Sequence, residues 1–109
     1  MKIGIIISTN DAETIFNAFR LANYCVVHKE KVKIFLIGKG VESEEISNYD
    51  KGKFNLKYEM ERFIKEGGEI LSCGSCFIIR GSSGTELCPL STMNDLYKII
   101  KESDKIITF

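Results

Sequence analysis

Lys2-Ile3-Gly4-Ile5-Ile6-Ile7-Ser8-Thr9 opens the chain as a β-branched apolar run with almost no polar alternation. Such a run reads as a strand buried on both faces, the pattern of a parallel sheet covered by helices. The chain that follows keeps to this pattern. Asn10 or Asp11 is placed to cap a helix, and Ala12, Ile15, Phe16, Phe19, Ala22 and Val26 recur at helical spacing as one apolar stripe. Lys31 to Ile37 is a second strand, ended by Gly38-Lys39-Gly40. From Val41 to Lys53 the sequence is polar, and a loop with at most a short helical turn is expected. Asn55 is placed to cap a further helix with Leu56, Met60, Phe63 and Ile64 facing inward, and Gly67-Gly68 stops it as a left-handed cap would. Glu69 to Ser72 is a short strand. After an irregular stretch closed by Pro89, Thr92 and Asp95 have capping-box spacing ahead of a last helix with the stripe Met93, Leu96, Ile99 and Ile100. Lys105 to Phe109 is the terminal strand.

Strands and helices therefore alternate along the chain. Right-handed crossovers then give an α/β fold, a mainly parallel sheet covered on both faces. The 109 residues are enough for one domain and too few for two, so residues 1–109 are expected to form a single domain. In such sheets ligands bind outside the carboxyl ends of the strands. Three segments fall on that edge: Ser8-Thr9-Asn10-Asp11, Gly38-Lys39-Gly40 and Cys73-Gly74-Ser75-Cys76.

Fifteen Lys and Arg balance fifteen Asp and Glu, so no global field exists to hold nucleic acid or an anionic membrane. No direct nucleic-acid partner is expected. No stretch approaches the roughly 20 apolar residues that span a bilayer. The run after Met1-Lys2 is also too short for a secretory signal. A cytoplasmic protein with no membrane partner is the expectation. In a reducing compartment, four cysteines point to catalysis or metal binding rather than to structural disulfides.

Cys73 and Cys76 carry the chemistry. Cys73 is placed at the carboxyl end of a strand, and if the segment from Ser75 to Arg80 is helical it also sits at a helix N-terminus. Amide donors there stabilise a thiolate and lower the cysteine pKa. A thiolate attacks sulfur and carbon electrophiles, and a second thiol three residues on can attack what forms on the first. Packing of the two cysteines is the bland alternative, and the intervening Gly74 and Ser75 argue against it. Cys73 is the expected nucleophile, and Cys76 is either a resolving thiol or a packed small side chain. Thr9, Asn10, Gly38, Gly40, Gly74, Ser75 and Arg80 are the expected supporting residues, Arg80 favouring an anionic sulfur, binding an acidic partner or standing as a solvated charge near a helix end.

Cys88, before Pro89, is either a third thiol or a turn-packing residue, and Cys25 reads as structural on the flank of helix one. A structural zinc site wants four ligands, often as two separated pairs. Only one close pair is present, and His28, the single histidine, belongs to a helix end far from the cysteines, so no metal and no cofactor are expected. Gly38-Lys39-Gly40 lacks the spacing of a phosphate-binding loop. Cys-Gly-Ser-Cys has the form of a thioredoxin pair, but it falls late in the chain, and the only proline is Pro89.

Lys2 to Ile7, the helix ending near Ala22-Asn23, Val32 to Val41 and above all Cys73 followed by Arg80-Gly81 resemble the DsrE/DsrF-like family, which includes TusD-type sulfur-relay and YchN-like proteins. The resemblance covers nearly the whole chain. It implies an α/β/α sandwich assembled into trimers or hexamers, with the cysteine near subunit contacts. It implies cytoplasmic sulfur transfer through a persulfide on Cys73, with sulfur donor and acceptor proteins as partners. In TusD-like members the sulfur ends in tRNA thiolation, and in DsrE-like members it belongs to sulfur oxidation or reduction. Cys76 is an addition to the minimal family pattern, and an internal disulfide stands as the alternative to a stable persulfide. Two other readings remain: a non-catalytic assembly subunit of a sulfur-relay complex, and a small-ligand-binding α/β module using the Thr9–Asn10 and Gly38–Gly40 loops.

Overall fold

The apolar run at the start of the chain becomes the strand β1 (Lys2–Ile7), hydrogen-bonded on both sides within the sheet of a computed structural model that describes residues 1–49 and 54–109. Its neighbour on one side is β2 (Lys31–Leu36), in the register Lys2 to Lys31 through Ile7 to Leu36. Beyond β2 come β3 (Glu69–Cys73) and the two-residue β4 (Leu90–Ser91). On the other side of β1 lies β5 (Lys105–Thr108). All four pairings are parallel, and the strand order is β4-β3-β2-β1-β5.

Two layers of helix cover this sheet. One holds α1 (Ala12–Val27) and α3 (Leu56–Lys65), packed on each other. Ile3, Ile5 and Ile7 of β1 and Val32, Ile34 and Leu36 of β2 are buried beneath, with Ile15, Phe19, Ala22, Met60 and Phe63 from the helices. Phe19 meets Phe63 edge to face at 5.9 Å. Each such fully buried side chain is worth about 1.5–3 kcal/mol relative to exposure. The chain order explains the second layer. Each connection from β1 to β4 steps in one direction across the sheet, but β5 returns to the far side of β1. A right-handed crossover then puts α5 (Met93–Glu102) on the opposite face. Gly4 marks where α5 lies close: a Cβ there would fall 2.7 Å from both Ile99 and Ile106.

The helix starts follow the sequence. Asp11 caps α1 by accepting from the Thr14 amide at 2.9 Å, and Asn55 caps α3 by accepting from the Tyr58 amide at 3.0 Å. Thr92 and Asp95 form the full capping box of α5. Gly67, at φ +100°, ends α3 in the left-handed region.

Three expectations are corrected. The segment expected to be a loop forms a 3₁₀ turn, Gly38–Glu42, and the helix α2 (Ser43–Tyr49); residues 50–53 of that expectation lie outside the described residues. Its few apolar residues, Val41 and Ile46, are enough to seat it because Ser43 and Ser47 bury hydroxyls that bond the backbone at Gly40 and Glu44. Ile64 is exposed, since the inner face of α3 is filled by Leu56, Met60 and Phe63. Met93 and Ile100 of α5 are also exposed, because only Ile99 of that helix is buried against the sheet.

Candidate functional site

The carboxyl ends of β1, β2 and β3 meet at one edge, and the elements leaving them are tied together by polar contacts. Cys73 is the last residue of β3 and the N-cap of α4 (Gly74–Ile79), with φ −60° and ψ 112°. The helix suggested by the sequence after the cysteine is therefore present, and it starts one residue after the thiol. Gly74 sits against the edge strand, where a Cβ would be 3.2 Å from the Ser91 carbonyl oxygen. Ser75 places its hydroxyl 3.3 Å from Cys73 Sγ. Cys76, one turn into α4, receives the amide N–H of Gly38 on its sulfur at 3.2 Å.

That last contact depends on two glycines. Gly38 turns the chain out of β2 at φ +56°, a conformation that favours glycine. Gly40 then passes so close to the end of β1 that a Cβ would lie 2.0 Å from the Ile7 carbonyl oxygen. The pair Gly38 and Gly40 thus serves a close backbone approach, and it brings an amide from the β2 end onto a sulfur from the β3 end.

Arg80 closes the constellation. Its Nε donates to Glu42 Oε2 at 2.9 Å, its Nη1 donates to the Cys76 carbonyl oxygen at 3.2 Å, and Asn10 Nδ2 donates to the other oxygen of Glu42 at 3.4 Å. The chain Asn10–Glu42–Arg80–Cys76 links the loop after β1, the 3₁₀ turn after β2 and the helix after β3. The Arg80 hydrogen bond holds the Glu42 carboxyl below its ordinary pKa against a smaller opposing effect of burial. The link is therefore formed at neutral pH and loosens as pH falls through that lowered value. As a partly exposed ion pair it contributes at most about 1 kcal/mol, so its role is to position. Thr9 stands outside the chain of contacts and accepts from the Asp11 amide at 3.0 Å, shaping the turn into α1.

The two thiols of the pair differ. Cys73 is only 4% exposed, and burial works against its thiolate. The Cys76 thiol, the Ser75 hydroxyl and the amides of Cys76 and Ser75 outweigh that effect, so its pKa lies below the ordinary cysteine value. Cys76 is pushed up, first by burial and then by the Cys73 sulfur, with the Gly38 amide and Arg80 pulling the other way. Of the two thiols, Cys73 is therefore the one that loses its proton first and Cys76 the one that keeps it longer.

The other cysteines are different again. Cys88 is 1% exposed, its thiol is pushed up to about 12 by burial with the Glu44 carboxylate adding to it, and it lines a cleft of about 430 Å³ with Glu42, Glu44, Phe77, Arg80 and Thr85. Among the described residues no three His, Cys, Asp or Glu side chains converge as metal ligands would. Cys25 is half-buried on α1 and raised by burial, and His28 caps the far end of the same helix, its Nδ1 2.8 Å from the Tyr24 carbonyl oxygen.

These environments order the reactivity. In alkylation with iodoacetamide across pH, Cys73 is expected to reach its full rate at the lowest pH of the four, because its thiolate forms first as pH rises. Cys88 should be slowest near neutrality. Peptide mapping that finds Cys25 or Cys88 labelled ahead of Cys73 would overturn the order.

Glu42 is the site residue that the sequence does not reveal. It lies 38 residues from Arg80 in a polar stretch, and no local pattern pairs the two.

Residues 1–109 match the DsrE/DsrF-like family, and the chain, a parallel five-stranded α/β/α sandwich, belongs to that family. Among its relatives are an uncharacterised protein of Methanopyrus kandleri, 36% identical over 107 residues that cover 89% of this chain and 83% of the relative. Another is an uncharacterised protein of Methanocaldococcus jannaschii, 30% identical over 114 residues and covering the whole of both chains. The fold is that of the YchN protein from E. coli in its crystal structure, which superposes with a TM-score of 0.78 over the full length of both chains at 21% identity. No helix among the described residues is long and apolar enough to cross a membrane.

Proposed function

We propose that this protein is a sulfur-relay carrier that accepts sulfane sulfur on Cys73 as a persulfide and passes it on. The observation that carries the reading is the environment of Cys73: a thiol with a lowered pKa at a strand end, with the Ser75 hydroxyl 3.3 Å from its sulfur. Family membership supports it. In the reaction, the Cys73 thiolate attacks the outer sulfur of a donor persulfide. The donor S–S bond breaks, the donor leaves as a thiolate, and the outer sulfur stays on Cys73. The same donors that stabilise the thiolate favour an anionic persulfide.

Loading tests this directly. A cysteine desulfurase with cysteine should add about 32 Da to the protein, mapped to the peptide holding Cys73, as expected of the lowest-pKa thiol. No loading from any of several donors would favour a subunit that only builds the assembly.

The assembly itself is proposed to be a homotrimer or homohexamer in the cytoplasm, working with sulfur donor and acceptor proteins. Met93, Tyr97 and Ile100 occupy one side of α5 at i, i+4 and i+7 and are all more than half exposed, which supports burial against further copies. Light scattering at micromolar concentration should give the mass of three or six chains. A monomer would remove this part of the proposal.

A further inference from the structure

Cys76 has a contact that packing does not require. A buried cysteine that only fills space needs no hydrogen bond, since its sulfur is a weak acceptor. Here the Gly38 N–H is delivered to Cys76 Sγ at 3.2 Å by a turn that needs φ +56° at Gly38 and no side chain at Gly40. Arg80 adds a guanidinium on the carbonyl of the same residue. An amide donor on the sulfur, with a positive charge on the same residue's carbonyl, favours a thiolate formed during a reaction. Cys76 is also correctly placed along the chain. Residues three apart across a first helical turn are neighbours, and a disulfide tolerates Cα separations of about 4.4–6.8 Å. Finally, a sulfur carried on Cys73, which is 4% exposed, lies beside the Cys76 thiol.

We infer that Cys76 is the resolving thiol of this site, held by the Gly38 amide and Arg80, and that the protein discharges its sulfur as sulfide by closing a Cys73–Cys76 disulfide. The inference rests on Cys73 carrying the sulfur, and it specifies how that sulfur leaves. The Cys73 persulfide anion faces the Cys76 thiol. Cys76 Sγ attacks Cys73 Sγ, and the bond between the two cysteine sulfurs forms as the persulfide S–S bond breaks. The electron pair leaves with the outer sulfur, which takes the Cys76 proton and departs as HS⁻. The sulfane sulfur is reduced to sulfide, and two thiols are oxidised to a disulfide. An external dithiol then reduces that disulfide by exchange and restores both thiols. On this route the acceptor in the proposed function takes up inorganic sulfide rather than the protein persulfide itself.

The test loads wild type, Cys76→Ser and Cys76→Ala with glutathione persulfide, removes the donor, and follows protein mass, free thiols and released sulfide with no reductant present. Wild type is expected to release about one sulfide per chain and to end about 2 Da below the dithiol form, the mark of an internal disulfide. The variants are expected to keep the added sulfur at least ~10-fold longer, because internal attack is the discharge route. Lifetimes are compared rather than loading rates, since Cys76 also helps to hold the Cys73 thiolate. The wild-type measurement stands without the variants should either fail to fold. Equal lifetimes in all three proteins, with both wild-type thiols still free, overturn the resolving role and leave the carrier reading intact. Absence of loading in wild type and variants overturns the carrier reading and this inference together.

Discussion

Cys73→Ser will abolish sulfur loading, lowering the amount of persulfide formed by at least ~100-fold, while the protein stays folded. The chemical loss is simple. A serine hydroxyl does not ionise near neutral pH, so the nucleophile that attacks a donor persulfide is gone. Cys76 is a poor replacement, because burial, the largest cause of its raised pKa, stays in place when the Cys73 sulfur is removed. The fold should tolerate the change well. Cys73 is the N-cap of α4 and makes no side-chain cap hydrogen bond, whereas serine is among the preferred N-cap residues. The introduced hydroxyl also has the Ser75 hydroxyl within reach. Circular dichroism and the unfolding midpoint should therefore be close to wild type while mass spectrometry shows no added sulfur. Persulfide on Cys73→Ser at the wild-type level would move the site elsewhere.

The features that make this prediction possible divide into those a reader of the sequence can find and those the fold alone supplies. β1, β2 and the caps at Asp11, Asn55 and Thr92 are local: an apolar run or a capping residue works within a few positions of itself. The position of Cys73 at a strand end and helix start is legible for the same reason, since Glu69 to Cys76 holds the strand, the break and the thiol. Other features depend on partners far along the chain. β4 is two residues long and exists because Leu90 and Ser91 reach Ser72 and Cys73. α2 looks like a polar loop because its inward residues include serines whose hydroxyls bond the backbone rather than aliphatic side chains. The stripe of α5 is visible, but the sequence does not say that the sheet takes only part of it and leaves Met93 and Ile100 outside. At the site, Gly38-Lys39-Gly40 is recognisable as a turn on the right edge, yet nothing local says that its amide meets the Cys76 sulfur. Glu42 is invisible until the fold sets it against Arg80.

Gly40→Ala tests how much of the site rests on that turn, and it is expected to destabilise the protein by about 3 kcal/mol, at the upper end of what overpacking costs. A Cβ at Gly40 would lie 2.0 Å from the Ile7 carbonyl oxygen, 2.7 Å from the Ile7 carbonyl carbon and 3.3 Å from the Ser8 nitrogen. These are backbone atoms, so no rotamer change relieves the clash. The Ile7 carbonyl is also held by the Ile37 amide at 3.0 Å, and Gly40 is held by its own hydrogen bonds to Ile37 and Ser43. Either β1 or the 3₁₀ turn must therefore move, and the turn is the element with fewer sheet hydrogen bonds. For a chain of this size the cost corresponds to a fall in Tm of about 15 °C. Gly67→Ala is the informative contrast. Gly67 sits at φ +100° with nothing within 4 Å of a Cβ, so its substitution meets only backbone strain, about 1–2 kcal/mol. Displacing the turn should also draw the Gly38 amide away from Cys76, which Gly67→Ala leaves in place. Gly40→Ala is accordingly expected to change the alkylation rate of Cys76 at temperatures where the protein is still folded, and Gly67→Ala is not. Equal stability losses for the two alanines, with Cys76 unaffected by either, would show that the close passage of Gly40 over Ile7 neither braces the sheet edge nor positions the amide.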